Sequence, residues 1–240
     1  MDFMTEFGSL NWLDGIVVAL FFMTWFVLGW WIEHPTTKWP SVTVLMSDYR
    51  RKWMTQMVTR DPRIYDATIL SSLRQGTSFF ASTCLLAVGG VLALIGNVDP
   101  LRGVADGITM TQSPTVVWQI KLGLVLVFLS NGFLKFVWSN RIFGYCSVMM
   151  SAVPNDVTDP QVGPLAAKAA ELNIRAAVNF NRGLRSMYFA LGSVAWLAGP
   201  IPLLVAAVAT GWLVWSREFA SIPRAIILGD MPEIMDDTKE

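Results

Sequence analysis

Apolar residues along this chain gather into long uninterrupted runs, and charged residues gather between them. From Ser186 through Ser216 no residue carries a charge. At a helical rise of ~1.5 Å per residue that run is about 45 Å long, more than the ~30 Å of a bilayer core. A charged helical pattern leads into it from Leu165, carrying Arg175, Arg182 and Arg185, and Gly199-Pro200-Ile201-Pro202 interrupts it. The pattern predicts one long helix that starts in water, enters lipid after Arg185 and bends at the Gly-Pro break. The break has two readings: a broken helix at a transport site, whose freed carbonyls line a cavity, or a proline kink that fits an overlong helix into the bilayer. The kink is the simpler.

Three further runs have the length of a span. The first covers about 12–32, bounded by Trp12 and by Trp30-Trp31, and Pro35 ends it by turning His34 away from helical geometry. The second covers about 76–96, preceded by a more polar helical part that starts at Asp61-Pro62, where Asp caps and Pro fits the first turn. Small residues recur four apart in it, at Ser78 and Ser82 and at Gly89 and Ala93. The third covers about 116–138 after a second cap-plus-proline start at Ser113-Pro114, and continues as helix to about Met150. The fourth is the 186–216 run. Between spans one and two, residues 41–59 place Val42, Leu45, Met46, Tyr49, Trp53 and Met57 at spacings of three and four. This is an amphipathic helix, too polar to span. It either lies in the membrane interface, with Arg50, Arg51 and Lys52 reaching anionic headgroups, or packs on the end of the bundle. The fold class expected is therefore all-α: a single polytopic membrane domain over residues 1–240, with four transmembrane helices, cytoplasmic helical extensions and one interfacial amphipathic helix.

Composition agrees. The chain is 53% hydrophobic and 15% charged, against about 25% charged in a soluble domain, with eleven tryptophans. Net charge is zero, which suggests no nucleic-acid partner. Lysines and arginines crowd the loops after spans one and three, whereas the loop after span two has only Arg102. The positive-inside rule then predicts loops one and three in the cytoplasm and both termini outside. The acidic first residues do not read as a secretory signal, so the first run is taken as a retained span. Cys84 falls in a span and Cys146 in a cytoplasmic extension, so no bond between them is expected. His34 is the single histidine, which argues against a His-rich metal site or a bis-histidine haem within the chain.

Several blocks carry a resemblance. One is Tyr49-Arg50-Arg51-Lys52-Trp53-Met54 with Arg60-Asp61-Pro62-Arg63-Ile64, Asp66 and Ser78-Phe79-Phe80-Ala81-Ser82-Thr83. Another is Lys135-Phe136-Val137-Trp138-Ser139-Asn140-Arg141. The most specific is Phe180-Asn181-Arg182-Gly183-Leu184-Arg185-Ser186-Met187-Tyr188-Phe189-Ala190, closing with Arg217-Glu218-Phe219. Over nearly its whole length the chain resembles a bacterial family of four-span membrane proteins known as a domain of unknown function, family five-nine-nine. The resemblance implies a multi-pass inner-membrane protein and brings no activity, substrate or cofactor.

Charged groups in or beside the spans are the candidates for chemistry, because a charge at the bilayer centre costs ~2.5–3.5 kcal/mol or more and so faces protein or water. Lys121 and Lys135 are close to four turns apart, with Asn131 one turn before Lys135. They form a candidate polar seam on span three, with Asp14 the natural partner of Lys121. The competing reading has each lysine snorkelling to its nearer interface. Arg182 and Arg185, with Asn179 and Asn181, stand where the fourth helix enters lipid. They are candidates for phosphate headgroups or an acidic partner, or for an anchor bridging to Asp66 or Glu33. No Gly-rich phosphate loop, nucleophile elbow or metal-ligand spacing is present. No cofactor is expected. The partners expected are membrane lipids and either further copies of this chain or a larger membrane complex. The function expected is that of a non-enzymatic self-assembling or accessory subunit, with a small ion channel or transporter as the alternative.

Overall fold

The computed structural model describes residues 10–36, 38–100 and 114–229, all-α in architecture. Its helices are α1 Trp12–Glu33, α2 Val42–Met57, α3 Ile64–Gly96, α4 Thr115–Ser151, α5 Val162–Ser193, α6 Pro200–Phe219 and α7 Ile222–Leu228, with a 3-10 segment Val194–Ala198 between α5 and α6. Among the described residues four stretches are long and apolar enough to cross a membrane: α1, α3, α4 and Pro200–Leu228. The fold is polytopic, as expected from the four apolar runs.

Local signals place the helix ends. Asn11 precedes α1, and its amide donates to the Asp14 carboxylate at 3.1 Å. Ser41 caps α2 by accepting from the Val44 amide. The turn between α4 and α5 is stabilised by Asp156, whose Oδ1 accepts from the Thr158 amide and hydroxyl at 2.9 and 2.7 Å. Those two donors hold the Asp156 carboxyl below its usual pKa. The start expected at Asp61-Pro62 is displaced. The helix begins at Ile64, and the Asp61-Pro62 peptide is cis. Ser113 and the greater part of the loop before it, residues 101–113, lie outside the described residues.

The 186–216 run is not one bent helix. In a continuous helix Gly192 and Thr210 would be about 27 Å apart. Here a Cβ added at Gly192 would lie 2.7 Å from the Thr210 hydroxyl oxygen. Arg217 Nη1 also donates to the Tyr188 hydroxyl at 2.5 Å. So α5 and α6 form an antiparallel hairpin. Gly199 has φ 122°, a conformation that ends the 3-10 segment and suits only glycine. Pro200 and Pro202 then open α6, where missing amide donors cost nothing. The motif is a stop followed by a start, and the fourth candidate span is α6 rather than 186–216.

This hairpin changes where the chain ends. Asp14 Oδ1 accepts from the Trp196 indole at 2.7 Å, which puts the end of α5 beside the start of α1. The Thr43 amide and hydroxyl donate to Glu218, and Arg224 Nε donates to the Pro40 carbonyl, which puts the end of α6 beside the start of α2. The described chain therefore begins at one end of the bundle and finishes at the other. The terminal segments expected on one side, residues 1–9 and 230–240, lie outside the described residues. Apart from Lys121, every described lysine and arginine sits at or toward the end where Glu33 lies, called here the cationic end.

Two cores result. Within the bundle, Phe21, Phe128 and Phe189 are buried edge to face, with Phe21 centroids 5.5 and 5.1 Å from the other two. At the cationic end, Met54, Met57, Leu70, Phe143, Cys146 and Ala169 join α2 to the extensions of α3, α4 and α5. The amphipathic helix α2 thus packs on the bundle end. Its inward face is Thr43, Arg50, Met54 and Met57, a register rotated from the predicted stripe, and Met46 and Tyr49 stay exposed. Threonine and arginine turn inward because Glu218 and Asn173 accept their hydrogen bonds. Cys84 and Cys146 are both free, as expected.

The hairpin has a direct test. The pair Gly192→Cys with Thr210→Cys is expected to form an intrachain disulfide on mild oxidation, read as a reducible mobility shift. A continuous helix would leave both thiols free to react with maleimide.

Candidate functional site

The polar side chains proposed from sequence separate into three places. At the end remote from the cationic one, Asp14 spends its oxygens on the Asn11 amide and the Trp196 indole. Lys121 is half-buried with its Nζ 5.7 Å from the centroid of the Trp118 ring. The two share an end of the bundle, yet form no ion pair among the described residues. Leu124, Val125 and Phe128, all buried, then fill the helix face between Lys121 and Asn131. The seam expected on span three is therefore not continuous.

Asn131 and Lys135 belong to the second place, a lateral cleft of about 330 Å³ between α1, α4 and α5. Trp25, Gly29 and Trp30 of α1 form one wall. Glu33, Lys135, Arg182 and Arg185 supply its charges. Glu33 is the last residue of α1 and takes a bidentate pair from Arg182, through Nε at 2.8 Å and through Nη2, plus Arg185 Nη2 at 2.6 Å. Arg185 is 6% exposed, whereas the Arg182 side chain is 40% exposed. Of the two bridges expected for these arginines, the one to Glu33 forms. Asn131 Nδ2 donates to Ser186 Oγ at 3.0 Å, which ties α4 to α5 at the cleft floor. Arg185 Nη1 is buried without a partner among the described residues. Asn181 donates to the Thr43 hydroxyl, and Asn179 to the Arg175 carbonyl within its own helix.

The third place lies outside the spans. Asp66, fully buried, accepts from the Trp53 indole at 2.6 Å and from Arg60. Arg63 donates to the Val153 and Pro154 carbonyls at 2.7 and 2.8 Å, latching the start of α3 to the end of α4. Of the basic triplet, Arg50 is engaged within the fold, and Arg51 and Lys52 stay at the surface. Arg50 points inward to Asn173, and burial lowers its pKa from the usual arginine value. Arg51 pairs with Asp48 at 2.9 Å and Glu171 at 3.0 Å, and the Lys52 Nζ lies 5.0 Å from the centroid of the Tyr49 ring. Of the three, only Arg51 and Lys52 are exposed, and exposed pairs of this kind contribute about 0–1 kcal/mol.

Sequence reasoning named Lys135, Arg182 and Arg185 but not that they meet. It had a signal in a lone glutamate ending an apolar run and two arginines three apart, on one helix face. It had none for Trp196 with Asp14 or Glu218 with Thr43, whose partners are remote in the chain.

The energetics of the cleft are asymmetric. Removing Glu33 strands a buried guanidinium, whereas removing Arg182 leaves Glu33 paired with Arg185. Glu33→Gln is expected to destabilise the protein by about 3–5 kcal/mol. Arg182→Gln should cost about 1 kcal/mol, and Glu33→Gln combined with Arg185→Met should recover much of the loss. Equilibrium unfolding in detergent measures all three, and equal losses for the first two would refute the asymmetry.

No curated protein and no solved structure matches the chain. A family model described as protein of unknown function, DUF599, matches residues 16–223, so the chain belongs to that uncharacterised family.

Proposed function

We propose that this protein is a non-enzymatic component of a bacterial inner membrane that self-assembles, its cationic end in the cytoplasm and a second copy packed along the outward face of α3. The observation that carries the reading is how little of α3 the chain itself covers. Only 6% of its apolar window is buried, against 39% for α4. Within the fold α3 leans on α4, and Ser82, Gly89 and Ala93 are turned outward, Gly89 two turns after Ser82 and Ala93 one turn after Gly89. Lipid tails gain nothing from small residues, whereas a second helix can approach closely over them. The orientation is supported by the clustering of lysine and arginine at one end.

The polar interior favours assembly over transport. The ionisable groups of the cleft are engaged mainly with one another, and Phe21, Phe128 and Phe189 stand between the cleft and Lys121. A channel reading would rest on Asn131 and Lys135, which face the cleft, and it would need a wet path through those rings.

The prediction is specific to one face. Gly89→Cys is expected to cross-link to a dimer on oxidation in native membranes, and Val208→Cys on α6 is not. Native mass in mild detergent should exceed the 26.7 kDa of one chain, and Gly89→Leu should shift it toward the monomer. Liposomes holding the protein should pass ions no faster than empty ones. A monomeric native mass, or ion flux that depends on Lys135, would sink the reading.

A further inference from the structure

We propose that the cleft between α1, α4 and α5 holds the phosphate of one anionic phospholipid, entering sideways from the leaflet at the cationic end. Three cations and one carboxylate line the cleft. Glu33 is committed to Arg182 and Arg185. The second nearby carboxylate, Glu218, is committed to the amide and hydroxyl of Thr43. Positive charge is left over, and two of its carriers have donors to spare. Lys135 has no hydrogen bond or ion pair among the described residues. Arg185 is 6% exposed and keeps Nη1 without an acceptor. A buried guanidinium nitrogen without an acceptor is costly, and a phosphate oxygen is the acceptor its geometry suits best.

The walls distinguish a lipid phosphate from a free one. Trp25 and Trp30 stand beside the cations, and Trp30 is 66% exposed on the outer surface. Gly29 between them lines the cleft without a side chain, and a Cβ there would meet nothing within 4 Å, so the cleft is open beside α1 at that level. An apolar slot running into a cluster of cations matches a molecule with acyl chains below and a phosphate above. A soluble anion would have no use for the indole walls. The height also fits: Glu33 ends α1, where the apolar run gives way to polar residues and a headgroup would lie. This site is separate from the α3 face and stands or falls without it.

The full-length protein in neutral detergent tests this by thermal unfolding and by native mass. Three additions are compared at equal concentration: short-chain phosphatidylglycerol, short-chain phosphatidylcholine and inorganic phosphate. The expected result is a saturable rise in the unfolding midpoint with phosphatidylglycerol alone, and one retained phosphatidylglycerol per chain. Lys135→Gln removes a charge that holds nothing else, and Gly29→Leu fills the slot while leaving every cation in place. Each should weaken the midpoint response roughly tenfold or more, Lys135→Gln by losing one charge-assisted contact and Gly29→Leu by occupying the space of the acyl chains. Should Gly29→Leu fail to fold, Lys135→Gln decides alone. An equal rise with inorganic phosphate would make the ligand a free anion and overturn the proposal. So would equal retention of phosphatidylcholine, unsaturable uptake of several lipids, or an unchanged response in Lys135→Gln.

Discussion

A guanidinium with 6% of its surface exposed cannot be left without a counter-charge, and that constraint on Arg185 organises the cationic end of the bundle. Glu33 supplies the charge, which brings the last turn of α1 against the middle of α5. Once α1 ends there, Ser41 can donate to the Ile32 carbonyl at 2.7 Å while its own oxygen caps α2. Thr43, the second residue of α2, then meets Glu218 at the end of α6. One buried ion pair and two hydroxyl groups thus lock three helix ends and one face of α5 into one corner. Such a pair contributes little net stability compared with an apolar substitute, but its loss would be expensive. Its main effect is to leave a single arrangement of these helices acceptable.

The two cores are held by different physics. Outside the spans, Met54, Met57, Leu70 and Phe143 leave water when they pack, and the hydrophobic effect acts at about 25 cal/mol per Å². Inside the bilayer a side chain exchanges lipid for protein, so close packing must supply the attraction. The structure answers with glycines at the tightest approaches. A Cβ on Gly183 would lie 2.7 Å from the Phe136 ring, and one on Gly211 would lie 3.1 Å from Thr24. Phe136 fills the space beside Gly183 and stacks on Phe80 at 5.3 Å, which is how α3 and α5 meet through α4.

These features bear on function together. The bundle places most of its positive charge at one end, packs aromatic rings in its middle, and leaves one long helix largely uncovered. That division fits a protein acting through what packs beside it in the plane of the membrane. The cleft fits the same division, since it opens sideways beside exposed Phe26 and Trp30.

The residue order by itself determined the helical class, the apolar runs of α1, α3 and α4, the extension of α4 beyond its span and the position of the amphipathic helix. Each depends on run length, on periodicity or on a cap within one turn, all local quantities. It also marked Arg182 and Arg185 as needing an anion, a phosphate headgroup, an acidic partner or one of two acids of the chain, of which Glu33 is one. Only the tertiary structure decided the rest. Gly199-Pro200-Ile201-Pro202 is locally compatible with a kink or with a reversal, and the reversal is held by Thr210, Tyr188 and Phe21, none of which adjoins it in sequence. The inward register of α2 was set by Glu218 and Asn173, and the break in the span-three seam by Phe21 and Phe189 packing on Phe128. In each case the deciding group lies on another helix, and a pattern read along one helix carries no term for it.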